Sequence, residues 1–115
     1  SFSTLGAPND LTRTGSTKLM IPEIFALYQN YPNPFNAQTT ISFDLLQSAV
    51  LSLYINDAAG RIIHLFFEES QMDKGLYSYS WNGESYSSGV YFMTIQAQVD
   101  DYFPVVYSRK IIYLK

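Results

Sequence analysis

Residues 39–45 and 50–56 settle the fold class, because in both stretches apolar and polar residues alternate with a period of two. In the first, Ile41, Phe43 and Leu45 share one face while Thr40, Ser42 and Asp44 share the other. In the second, Leu51, Leu53 and Ile55 oppose Ser52, Tyr54 and Asn56. Successive side chains of a strand point to opposite sides of a sheet, so this pattern fits a half-buried strand and no helix. Comparable short runs recur along the chain from Ile24 onward: Ile24–Tyr28, Arg61–Phe67, Leu76–Trp81, Val90–Gln98 and Val105–Leu114. Turn-forming residues separate them. Gln47-Ser48 makes a short turn. Asp57-Ala58-Ala59-Gly60 is a hairpin signal in which the Asp caps the turn and Gly60 takes a positive φ. Glu68–Gly75 reads as a polar connection, Asn82-Gly83 opens a turn that closes at Ser87-Ser88-Gly89, and Val99–Pro104 forms a loop.

About seven antiparallel strands at intervals of roughly 8–12 residues predict an all-β, immunoglobulin-like β-sandwich. Its predicted core includes Ile41, Phe43, Leu51, Leu53, Ile55, Trp81 and Phe92. The chain divides near residue 24. Residues 1–23 are rich in Ser, Thr and Gly with no period, the composition of a linker or N-terminal arm, and residues 24–115 carry the domain. At 115 residues one core is expected, without staples.

Composition removes several function classes. The absence of Cys excludes disulfides, thiolate nucleophiles and Cys-ligated metals. One His, His64, leaves no multi-histidine metal site and little for a nucleophile–His–acid triad, and its setting in Ile62-Ile63-His64-Leu65-Phe66 is that of a structural side chain. Seven basic against ten acidic residues give a net charge of −3, which argues against nucleic acid. No run reaches the roughly 18–20 apolar residues that would span a bilayer, so no membrane insertion is expected. Glu68, Glu69 and Asp73, like Asp100 and Asp101, lack the donor spacing of a calcium loop and read as solvated charge. Ser85–Ser88 has no nucleophile elbow. Tyr77, Tyr79 and Trp81 line one strand face, which reads as core in preference to a sugar platform. No catalytic, cofactor-binding or metal-ligating set is expected, and no enzymatic activity.

The most specific segment is Tyr31-Pro32-Asn33-Pro34-Phe35-Asn36. Its prolines fix φ and remove donors, which forbids a central strand, and Phe35 is placed to plug an apolar slot. Four blocks, YPNPFNAQTTISFDL, LYINDAAGRII, YSYSWNGESYSSGVYFMTI and SRKIIYLK, together resemble in order and spacing the C-terminal sorting domains carried by cargo of the bacterial type IX secretion system. The resemblance covers about residues 24 to 115, with Asn82 where the family usually has Asp. It is similar in texture to the immunoglobulin-like domain of flagellar hook-cap proteins.

The resemblance implies a non-catalytic β-sandwich that directs a secreted cargo across the outer membrane to the surface of a Gram-negative bacterium. Secretion-machinery proteins read such a domain as an address, and in many members it is then cleaved and the cargo attached to lipopolysaccharide. Carried over by motif, the address lies in Pro32, Asn33, Pro34 and Phe35, in Gly89 and Tyr91, and in Arg109, Lys110 and Lys115, with the last strand available to a receptor. The alternative is a self-associating extracellular structural subunit, whose arm docks Phe2, Leu5, Leu11, Leu19 and Met20 onto another copy. A carbohydrate-binding module using the Tyr and Trp face ranks third.

Overall fold

A computed structural model describes residues 24–100 and 103–115. The N-terminal arm, with its five apolar residues, and Asp101 lie outside the described residues. Within them the chain forms seven strands and no helix: β1 (Phe25–Leu27), β2 (Gln38–Leu45), β3 (Ala49–Asp57), β4 (Ile62–Met72), β5 (Gly75–Asn82), β6 (Gly89–Gln98) and β7 (Val105–Tyr113). They pair antiparallel in two sheets, β1-β2-β5 and β4-β3-β6-β7, giving an immunoglobulin-like sandwich.

The alternation read from the sequence builds the core. Ile41, Phe43 and Leu45 from β2 meet Leu51, Leu53 and Ile55 from β3, all fully buried, because inward faces of two sheets interdigitate when they stack. Trp81 is buried, and Tyr77 and Tyr79 pack against the same cluster. Tyr79 also reaches across to Phe66 and Phe67 of β4, with ring centroids 5.8 and 5.4 Å away. The stripe at 77, 79 and 81 is therefore core, and Ser78 and Ser80 face outward.

The 57–60 turn has the expected chemistry. Asp57 Oδ1 accepts from the amides of Ala59 (3.0 Å) and Arg61 (2.9 Å), and Gly60 has φ 89°. These donors, the Arg61 amide foremost and its guanidinium after, hold the Asp57 carboxyl below its ordinary value against a smaller opposing effect of desolvation.

Two expectations are corrected. Phe92 is half-buried and faces outward; Tyr91, Met93, Ile95 and Ala97 fill the core instead. Residues 90–93 are Val-Tyr-Phe-Met, apolar on both faces, so size rather than alternation suggested Phe92, and parity decides otherwise. The polar connection expected over 68–75 is mostly strand, since β4 continues to Met72. Three register irregularities against β3 hid it: the strand gains extra residues, Glu69 adopts φ 48°, and its amide bonds Ser52 Oγ at 2.9 Å in place of the ladder.

Candidate functional site

Residues far apart in sequence converge at one end of the sandwich, around Phe35. The two prolines and Asn33 keep residues 32–36 out of either sheet, and a small polar network fixes their path. Buried Asn30 donates from Nδ2 to the Pro32 carbonyl (3.1 Å) and to Thr39 Oγ1 (2.9 Å). Thr39 Oγ1 donates to the same carbonyl at 2.8 Å. Buried polar groups need partners, so these bonds hold the corner in one conformation.

The corner is stitched to β7. The Phe35 amide donates to the Ile112 carbonyl at 3.0 Å, and the Leu114 amide donates to the Phe35 carbonyl at 2.8 Å. The Ile112 amide donates to Asn33 Oδ1 at 2.9 Å. Phe35 thus bridges to Tyr113 in parallel and closes the outer edge of β7 at that end. Its ring, 2% exposed, stacks on Tyr113 at 4.7 Å and tilts against Trp81 at 5.4 Å. Trp81 meets Tyr91 edge-on at 5.5 Å and Tyr86 at the same distance. The Tyr91 hydroxyl donates to the Ser87 carbonyl at 2.6 Å. Burial, then the nearby Asp57 carboxylate, pushes its phenol above the ordinary value.

Gly83 is the tightest point. A Cβ there would stand 3.1 Å from ring carbons of both Phe35 and Tyr113, so a side chain would press on the stack. Next to it Asn82 Oδ1 accepts from the Glu84 amide at 2.9 Å, and Asn supplies the same turn acceptor that Asp would.

The motif residues occupy three kinds of place. Phe35 and Tyr91 are buried in the aromatic cluster, and Gly89 is half-buried opposite Tyr113 in the β6–β7 ladder. Pro32 and Pro34 are exposed on the corner, with Asn33 half-buried between them. The basic residues differ among themselves. Arg109 is half-buried, and its Nε donates to the Leu27 carbonyl at 2.8 Å while the guanidinium lies over Tyr107. Lys115 Nζ donates to the carbonyls of Glu84 and Tyr86, and its amide donates to Ser88 Oγ. Lys110 is exposed, and no ion pair or side-chain hydrogen bond engages it among the described residues. Its carbonyl accepts from Gln29 Nε2 at 3.0 Å.

The corner, the Trp-bearing strand with its turn, the Ser-Gly-Val-Tyr run and the final strand thus form one structure. The family described as the secretion system C-terminal sorting domain matches residues 29–112, nearly the whole of it. The chain belongs to that family. Among curated proteins no match is found.

The sorting domain is one of the type IX system, whose tails mark proteins for export across the outer membrane to the cell surface of Gram-negative bacteria. Such a domain acts on a cargo through the secretion machinery, and the family is non-catalytic in general. In keeping with that, the aromatic cluster has the makings of a rigid surface rather than a reaction centre. No group of three or more His, Cys, Asp or Glu side chains gathers among the described residues. His64 lies edge-on to Phe66 at 4.6 Å, as a structural ring does. The sequence marked Pro32–Phe35 and the Gly89–Tyr91 block. It did not mark Asn30, Thr39, Gly83 or Tyr113, whose roles arise from contacts across the fold and have no local pattern.

Proposed function

We propose that residues 24–115 form a self-contained, non-catalytic sorting domain, with residues 1–23 as a linker to the exported cargo. In this reading the address is the seam between the Pro32–Phe35 corner and β7. Phe35, Gly89 and Tyr91 shape it from within, with Asn33 tying the corner to Ile112. Pro32, Pro34, Lys110 and Lys115 present it to secretion-machinery proteins, and Arg109 locks β7 against β1. The observation that carries this reading is the convergence of all four sequence blocks on that seam, in a chain whose family is a sorting domain.

The seam also explains why the blocks are needed together. Stacked aromatic pairs contribute about 0.5–1.5 kcal/mol beyond burial, so losing one partner loosens the others. A rigid, preformed surface spares its receptor the cost of ordering it.

The test is a cargo fused ahead of the domain in a type IX-competent host. Deleting Ile111–Lys115 should leave the cargo in the periplasm. Because that deletion removes buried Ile111 and Tyr113, the charge reversal Lys110→Glu is the companion variant: it alters only an exposed side chain. Export of this variant should fall while its circular dichroism stays parental. Surface display of both variants at the parental level would contradict the proposal.

A further inference from the structure

The direction of the β7 backbone groups follows from its contacts. Ile112 gives both its N–H and C=O to the corner, and Lys110 gives its C=O to Gln29, so even-numbered residues of β7 point away from β6. The β6–β7 ladder has no register irregularity from Val105 to Tyr113. Ser108 and Thr94, side by side in that ladder, accordingly meet through their hydroxyls at 2.8 Å, as residues of a non-hydrogen-bonded pair do. The corner closes the outer edge at Ile112. Between Val106 and Lys110 that edge meets no other strand, and the N–H and C=O of Val106 and Ser108 and the N–H of Lys110 have no partner among the described residues. Val106 and Tyr107 are exposed there, at 56% and 45%.

We propose that this open segment is a self-pairing interface, on which β7 of a second copy adds antiparallel about a two-fold axis through Ser108. The segment is symmetric about that residue, with two positions on each side. Ser108 then faces Ser108 of the second copy, and Val106 and Lys110 each face the other. Up to about six ladder hydrogen bonds form, with Gln29 releasing the Lys110 carbonyl. The charges fit this register. Lys110 lies across from an aliphatic residue and four positions along from its own copy. Arg109 lies across from Tyr107, the ring type it already covers within one chain. No like charges stand directly opposite, which is the arrangement that would forbid the pairing.

The other edges lack these properties. β4 is irregular at three points, and β1 has three residues. β5 contains no charged residue to define a register. The interface is small, so the pairing is weak and dynamic.

The experiment is sedimentation of the 115-residue chain from about 10 µM to about 1 mM, with three variants. The parent should move from monomer towards dimer across this range. Val106→Glu places a carboxylate opposite each Lys110 and should tighten the dimer about threefold or more; Val106→Lys should weaken it by a similar factor. Ser108→Pro removes an outward N–H and leaves every β6–β7 bond in place, so it should abolish dimers. The two Val106 variants alter only an exposed side chain, so the outcome does not depend on Ser108→Pro folding. A parent that stays monomeric at about 1 mM overturns the proposal. So does a dimer whose dissociation constant is the same in both Val106 variants.

Discussion

Replacing Phe35 by alanine tests whether the corner is a structural keystone of the sandwich. The ring is buried between Tyr113 and Trp81, and both neighbours are themselves almost fully buried. Both are set in strands, Trp81 in β5 and Tyr113 in β7, so neither can swing into the space the ring leaves. Phe→Ala in a core costs about 3–5 kcal/mol, and the upper part of that range applies where walls cannot collapse. Two aromatic contacts are lost with the ring, each of about 0.5–1.5 kcal/mol, and these lie within that total. A loss of about 4 kcal/mol is a large share of the ~5–15 kcal/mol by which a domain is stable. With a urea slope of about 2 kcal/mol/M, the unfolding midpoint should fall by about 2 M with the slope unchanged. The thermal midpoint should fall by on the order of 20 °C. Phe35→Leu, which keeps most of the volume, should lose about a third as much. If Phe35→Ala shifts the urea midpoint by less than about 0.5 M, the corner is an ornament on an independent sandwich and the reasoning fails.

Other substitutions probe the same end and the distant turn. Gly83→Ala should cost about 1–3 kcal/mol in chemical unfolding, because the new methyl meets the Phe35 and Tyr113 rings at 3.1 Å. Tyr113→Phe should be neutral or stabilising by up to about 1 kcal/mol, since the buried hydroxyl has no hydrogen-bond partner among the described residues; a loss of more than that in the same assay would reveal one. Gly60→Val should destabilise by about 1–2 kcal/mol, as φ 89° is poorly tolerated by a β-branched residue. The Asp57 carboxyl lies below its ordinary 3.8 in the folded chain, so its contribution is complete above that value and is lost as pH falls through the lower one. In thermal melts between about pH 5 and about pH 2.5, Asp57→Asn should therefore show a smaller acid-induced drop than the parent.

The sequence revealed the sandwich because its core faces are written in strict alternation at β2, β3 and β5, and because Asp57–Gly60 is self-contained turn chemistry. It revealed less where local pattern and tertiary packing diverge. β6 is apolar on both faces over residues 90–93, so only the cross-strand register decides that Tyr91 and Met93 face in and Phe92 out. β4 breaks alternation at each bulge, and its polar end looked like a loop although it pairs with β3 to Met72. The corner was legible from its prolines and Phe35, but its attachment to β7 depends on backbone bonds 77 residues apart (Phe35 to Ile112), which no local window contains. The basic residues of the last strand looked equivalent in sequence. The fold separates them: Arg109 and Lys115 are tied to backbone carbonyls, and Lys110 alone of the three projects its side chain into solvent without a bond.

The central claim is that residues 24–115 suffice to direct a cargo through the type IX route. The direct measurement fuses a reporter, itself delivered to the periplasm, ahead of these residues and quantifies its protease-accessible fraction at the cell surface. Two hosts are compared, one competent for type IX secretion and one lacking that machinery. The account predicts that the reporter becomes surface-accessible in the competent host and stays periplasmic in the deficient one. Equal distribution of the reporter in the two hosts would contradict it.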